Sequence, residues 1–303
     1  SVVCSSAITI AGAWLTMNGQ FTVGMIAQFQ GFLSSFSGPI GSLISAGQSL
    51  MEMRTEMERI EDVMQYPDDP AFHTAPDEAE GSFEKLSGMV ELKNVTFGYS
   101  RLAQPLIRDF NLTLKPGSRV ALVGASGCGK STVAKLISGL YQPWSGEILF
   151  DGQPMVSISR EKLTGSLAVV DQDIVIFEDT IANNIRMWDT SIEDFEVTLA
   201  AWDAQIYHDI MRRHGGFQNK LTERGKDLSG GQRQRLEIAR VLAQDPTIII
   251  MDEATSALDA KTEYEVVSAI RNRGITCIVV AHRLSTIRDC DEILVMDGGL
   301  VVE

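Results

Sequence analysis

Residues 1 to 51 contain no Asp, Glu, Lys or Arg. A run of that length without a charge is not the surface of an ordinary solvated domain, and it divides the chain into an uncharged start and a charged remainder. Basic clusters are also missing. The net charge is −14 and no long Lys/Arg run occurs, which excludes nucleic acid as a partner, because a phosphate backbone needs a basic surface. Cysteine is scarce: Cys4, Cys128, Cys277 and Cys290 lie far apart without metal-ligand spacing, a pattern of reduced thiols rather than of a disulfide framework or a zinc site. Of four histidines, His73, His208 and His214 have no partner at ligand spacing and read as surface or linker residues. A secretory signal is a poorer reading of this start than membrane segments, since it has no initiating Met, no basic start and too much apolar length.

What the chain does contain is a phosphate loop. Gly124-Ala-Ser-Gly-Cys-Gly-Lys130-Ser-Thr132 matches G-x-x-x-x-G-K-[ST], follows the apolar strand candidate Val120 to Val123 and opens the helix candidate Ser131 to Leu140. Gly124, Gly127 and Gly129 let backbone N–H groups close on phosphate oxygens, with Ser126, Cys128 and Thr132 completing the loop. The helix start adds positive dipole, Lys130 reaches the β and γ phosphates, and Ser131 offers its hydroxyl to Mg²⁺. Cys128, beside Lys130, is either a reactive thiol or a small filler.

Further along, Thr247 to Met251 reads as a buried parallel strand ending in Asp252-Glu253. Asp252 is suited to holding Mg²⁺ through water, and Glu253 to orienting and deprotonating an attacking water, a role worth about 10² to 10⁴ in rate. Between these motifs lies Leu228-Ser-Gly-Gly-Gln232, where Ser229 can cap a helix from Gln232 to Ala243 and leave Gly230 and Gly231 N–H groups facing an anion. Asp227, Asp245, Asp68 and Asp69 read as solvated charge.

From about Val90 to its end the chain resembles the ATP-binding domain of ABC transporters, with the motifs in that family's order. The resemblance implies an α/β P-loop NTPase fold, an ABC ATPase core with a β-subdomain and a helical subdomain, preceded by α-helical transmembrane segments. It implies that Tyr99 stacks on adenine and that Gln172, in Val170-Asp-Gln-Asp173, links Mg²⁺ to the membrane helices. His282, in Ala281-His-Arg283, would contact the γ-phosphate, and Ser256 to Asp259 would cross to the partner. It further implies that Ser229, Gly230, Gly231, Gln232 and Asp259 face the ATP held by a second half-transporter, so that two chains enclose two ATP molecules; the completeness of the motifs favours a homodimer, with a heterodimer of one intact and one degenerate half as the alternative.

The same reading divides the chain into 1–65, the end of a transmembrane domain in contact with lipid, a linker over 66–88, and the ATP-binding domain over 89–303. Ser1 to Met17 and Thr22 to Leu43 are the expected membrane segments, the second spanning about 33 Å as a helix. Its apolar side carries Phe29, Phe32, Leu33, Phe36, Ile40 and Leu43, its small or polar side Gln30, Ser34, Ser37, Gly41 and Ser45, and Pro39 is a candidate kink. Met51 to Met64 continues this helix into water. The chain opens inside an apolar segment and stops at Val301-Val-Glu303, as a fragment would. Membrane segments fused to the ATPase resemble exporters. Segments Leu221 to Gly231, Arg235 to Arg240 and Thr276 to Asp291 are similar to bacteriocin and lantibiotic exporters, implying a peptide cargo; lipid or drug export and a non-transporting ATP-dependent switch are the alternatives.

Overall fold

The computed structural model describes residues 2–66, 84–171, 173–252, 254–281 and 283–302. They fall into two compact units, Ser1–Asp69 and Pro70–Glu303.

The first unit is a helical hairpin, α1 over Val2–Met17 and α2 over Val23–Met64. Gly19 turns the chain at φ +73°, and Thr22 caps α2 by accepting the Met25 N–H at 3.4 Å. The two helices approach closely at Gly12, where a Cβ would come within 2.8 Å of Ile26 Cγ1, and Gln30 Nε2 donates to Thr9 Oγ1 at 2.8 Å. Ser35, Ser37 and Ser42 turn their hydroxyls back onto carbonyls four residues earlier in α2. The helix runs on through Pro39, and the row Phe29, Phe32, Phe36, Ile40 and Leu43 stays exposed.

Among the described residues no helix is long and apolar enough to cross a membrane, contrary to the two spans expected from the missing charge. The reason is different for each helix. With 16 residues α1 is about 24 Å long, short of the roughly 30 Å hydrocarbon core. Length is no obstacle for α2, but Gln28, Gln30, Ser34, Ser35 and Ser37 dilute its apolar part.

The second unit is built on strands whose side chains alternate between two cores. Ile248 and Ile250 of β7 (Ile248–Asp252) and Ile278 and Val280 of β8 (Thr276–Val280) enter one core; Ile249, Met251, Cys277 and Val279 enter the other. With β3 (Arg119–Gly124), β6 (Leu167–Val170), β9 (Glu292–Asp297) and β10 (Leu300–Val301) they form a six-stranded sheet of order β10-β9-β3-β8-β7-β6, parallel except for β10. A second, antiparallel sheet of order β2-β1-β4-β5 contains β1 (Val90–Phe97), β2 (Ile107–Leu114), β4 (Ser145–Phe150) and β5 (Gln153–Pro154).

One core joins this antiparallel sheet and α3 (Lys130–Ile137) to one face of the parallel sheet through Val90, Phe110, Val133, Leu136, Ile137 and Phe150. The helical layer covers the other face: α5 (Ile181–Arg186), α6 (Asp194–Asp203), α7 (Tyr207–Met211), α8 (Gly230–Ala243) and α9 (Ala260–Asn272). Two short helices complete the fold, α4 over Arg160–Ser166 ahead of β6 and α10 over Leu284–Ile287 after β8. Residues 67–83, most of the expected linker, lie outside the described residues. Its end is seated on this unit: Leu86 is buried and donates its N–H to Ser166 Oγ at 2.8 Å, and Ser87 Oγ donates to Asp151 at 2.6 Å.

Thr276 closes this junction. Its fully buried hydroxyl accepts the Gly117 N–H at 2.9 Å and donates to the Gly88 carbonyl at 2.8 Å. Thr276→Val keeps the shape and strands both backbone groups, so denaturant unfolding should show a loss of about 2 kcal/mol, and Thr276→Ser should restore most of it.

Candidate functional site

The edge formed by the C-terminal ends of the parallel strands gathers the motif residues. Register fixes the arrangement: Leu122 of β3 pairs with Val280 of β8, which pairs with Asp252 of β7, while Met251 pairs with Val170 of β6. Asp252 therefore sits two strands from the start of the glycine loop, roughly 10 Å across the sheet at the ordinary strand spacing. The segments that follow β6, β7 and β8 leave from this edge, where ligands of open α/β sheets bind. Gln172, Glu253 and His282, expected on these segments, lie outside the described residues.

At two points the loop after β3 has room for backbone only. At Gly124, with φ +149°, a Cβ would stand 2.2 Å from the Met296 carbonyl oxygen; at Gly129, with φ +107°, it would stand 2.4 Å from Ile107 Cδ1. Gly127 has φ +80° and faces open space, next to the exposed Ser126. Gly129 starts α3 without a side-chain cap, so the helix presents its N-terminal N–H groups with no side-chain acceptor across them. Lys130 is buried and arches back over the loop, donating to the carbonyls of Gly124 at 2.9 Å and Ala125 at 3.0 Å. A fixed ammonium and open helix N–H groups suit a polyphosphate.

Tyr99 is brought to the same place. Its hydroxyl lies 3.0 Å from Thr132 Oγ1, and its half-exposed ring stands edge-on to Phe97 and Tyr141 at 5.4 and 5.5 Å. Of the two readings of Cys128, packing favours the filler. The side chain is buried, its sulfur would lie 2.9 Å from a Cβ at Gly124, and it accepts the Lys130 ammonium at 3.8 Å from inside the loop.

Ser131, half-buried on the first turn of α3, and Asp252 supply a hydroxyl and a carboxylate. Among the described residues no group of three or more His, Cys, Asp or Glu is placed to hold a metal ion. A donor set of one carboxylate and one hydroxyl nonetheless fits Mg²⁺, which takes few protein oxygens and completes its shell with phosphates and water. Ser131 and Asp252 are the described residues that would hold it.

On the opposite face of the sheet Ser229 caps α8 in a reciprocal box: the Gln232 N–H reaches Ser229 Oγ at 3.2 Å, and the Ser229 N–H reaches Gln232 Oε1 at 3.0 Å. The box uses the side chains of Ser229 and Gln232, while Gly230 lies exposed and Gly231 half-buried beside them. Gly231 packs against the next loop, since a Cβ there would be 3.1 Å from the Ala257 oxygen. Sequence reasoning missed Gln234, which joins the same two segments: its Nε2 donates to Ser256 Oγ at 3.0 Å and its Oε1 accepts the Ala257 N–H at 2.8 Å. Asp259 caps α9, accepting the N–H groups of Lys261 and Thr262 at 3.1 Å and the Thr262 hydroxyl at 2.7 Å. The Thr262 hydroxyl, then these N–H groups, hold its carboxyl below the usual carboxylate range.

Asp227 is not the solvated charge the sequence suggested. It receives Arg213 Nη1 at 2.5 Å and the Thr222 hydroxyl at 2.7 Å, bracing the loop that leads to Leu228. Burial alone would raise its carboxyl, but the bonds from Thr222 and Arg213 outweigh burial and hold it at about 2, against 3.8 unperturbed.

Residues 107–256 match the family model described as ABC transporter. The chain is 40% identical over 300 residues to the β-(1→2)glucan export ATP-binding/permease protein NdvA of Rhodopseudomonas palustris (strain BisB5), covering 98% of this chain and 49% of that protein. It is 36% identical over 299 residues to the fatty acid ABC transporter ATP-binding/permease protein of Mycobacterium bovis, covering 98% of this chain and 46% of that protein. Among solved structures, a bacterial Atm1-family ABC exporter with ATP bound aligns at a TM-score of 0.80 and 35% identity, covering 100% of this chain and 53% of that chain. The chain thus spans about half the length of the relatives it matches.

Asp227 yields a pH test of the brace. A carboxyl depressed in the folded state adds stability that is complete above its unfolded value of 3.8 and fades as pH falls through about 2. Asp227→Asn should therefore cost about 1–2 kcal/mol near neutral pH, after allowance for solvent screening, and the gap to the parent should close as urea unfolding is repeated towards pH 2.

Proposed function

Because residues 107–256 belong to the ABC transporter ATP-binding family, which hydrolyses ATP to drive transport, we propose that this chain is the ATP-hydrolysing half of an exporter working as a head-to-tail dimer. In this reading the loop from Gly124 to Thr132 cradles the phosphates of ATP, and Tyr99 stacks on adenine. Ser131, Gln172 and Asp252 hold Mg²⁺, which when bound neutralises charge on the β and γ phosphates. Glu253 orients the attacking water and takes its proton, and His282 contacts the γ-phosphate. Ser229, Gly230, Gly231, Gln232 and Asp259 face the ATP held by the partner subunit.

The observation that carries the dimer is the sheet between the two glycine motifs. The helix opened by Lys130 packs in one core and the helix capped by Ser229 in the other. With roughly 10 Å per packed layer, their axes lie on the order of 20 Å apart on opposite faces of one sheet. Each helix starts at the C-terminal edge of that sheet, because α3 follows β3 directly and α8 leads by a short loop into β7. A single chain therefore offers two half-sites facing different sides of one edge. Two chains in head-to-tail apposition complete both.

We also read the hairpin of α1 and α2 as part of the exporter's membrane domain. The exposed row from Phe29 to Leu43 needs an apolar cover, and the matched relatives are named as fused ATP-binding/permease proteins. Companion helices would then cover the polar side that Gln28, Gln30, Ser34, Ser35 and Ser37 give α2. The relatives' names point to glucan and fatty acid, two unrelated cargoes, and lend no support to a bacteriocin-like peptide.

Purified protein should hydrolyse ATP with a rate per chain that rises with protein concentration as dimers form. Glu253→Gln should lower turnover by about 10² or more while ATP binding persists. Full turnover by a strict monomer would refute the shared site, and undiminished turnover in Glu253→Gln would refute the assigned base.

A further inference from the structure

Helix α9 carries an acid on its buried side. Glu263, Val266, Val267 and Ile270 are all buried and follow the 3–4 residue spacing of an apolar stripe, so a carboxyl stands where the packing pattern calls for a hydrocarbon. Burial of a carboxylate is unfavourable unless hydrogen bonds replace its water. Two hydroxyls do so here at one oxygen: Glu263 Oε1 accepts the Thr255 hydroxyl at 2.7 Å and the Thr286 hydroxyl at 2.5 Å.

These two threonines belong to different segments. Thr255 is two residues beyond Glu253, and Thr286, on α10, is four residues beyond His282. Both are 5% exposed. The segments do not close on each other there, because a cavity of about 60 Å³ lies among Ala254, Thr255, Ser256, Ala281, Arg283 and Thr286. Glu263 spans them from α9, and Arg283 adds a second tie by donating to the Leu258 carbonyl at 3.3 Å.

We propose that Glu263 is a positioning residue for ATP hydrolysis: its carboxylate holds the segment following the base Glu253 and the segment following His282 at one fixed spacing, through Thr255 and Thr286. The proposal rests on the functional reading above. In-line attack on a phosphoryl group depends on placement, and a displacement of about 1 Å can cost about 10² in rate. Losing the bridge therefore acts on the chemical step, while the ATP-binding loop on β3 keeps its own supports.

The test compares steady-state ATP hydrolysis by the purified full chain with that of Glu263→Leu, Glu263→Gln, Thr255→Val and Thr286→Val, with nucleotide binding and thermal melting measured alongside. Glu263→Leu should lower kcat by about 10² with KM for ATP within about threefold of the parent. Glu263→Gln keeps an acceptor oxygen and should return kcat to within about threefold of the parent. Each Thr→Val change, near in shape, should lower kcat by about tenfold and add little once Glu263 is Leu, as expected of parts of one bridge. Should Glu263→Leu fail to fold, the two threonine variants carry the same test. An active parent with unchanged kcat in Glu263→Leu or in both threonine variants would overturn the bridge alone, as would Glu263→Gln as impaired as Leu. A parent with no ATP turnover would instead overturn the functional reading, and this one with it.

Discussion

Burial of both faces of the parallel sheet is the constraint from which the rest follows. Successive residues of β7 and β8 enter opposite cores, so a shift of one residue in register would drive the side chains of each strand into the wrong core. That lock fixes where each strand stops. Asp252 emerges level with Val280 and Leu122, and the glycine loop begins just beyond Leu122. Placement of the charged end of β7 relative to the phosphate loop is thus a by-product of hydrocarbon packing several residues away.

The two cores also separate two kinds of rigidity. On one side, left-handed glycines and the buried Lys130 ammonium shape a loop with almost no side-chain volume. On the other, side-chain caps and amide bridges set the geometry: Ser229 with Gln232, Gln234 with Ser256 and Ala257, Asp227 with Arg213 and Thr222. The first kind depends on the absence of side chains, the second on their reach.

Those two kinds of rigidity explain what the sequence disclosed. The glycine loop sits between strand and helix as its spacing implied, because that signal is local. Helix α3 starts at Lys130 and ends at Ile137, a small shift from the expected Ser131 to Leu140. Asp227 was misread since its partner Arg213 is fourteen residues away, and nothing in the local pattern announces the pair. Gln234 escaped for the same reason. Glu263 did leave a trace, an acid in phase with Val266, Val267 and Ile270. For Gln172 and His282 the expected roles rest on the family resemblance, and for Glu253 on its place at the end of an apolar strand; all three lie outside the described residues. At the N-terminus the absence of charge suggested membrane spans, but polarity without charge, from Gln28 to Ser37, counts against burial in hydrocarbon as well.

One feature of the loop before α9 reaches beyond the single chain. The Asp259 carboxylate already accepts three donors from the first turn of its own helix. Those donors are uncharged, so they fix the carboxylate's direction and keep it ionised without cancelling its charge. A neighbouring molecule meeting this corner would therefore find a negative charge held in one orientation, whose pull on a cation weakens as salt is added.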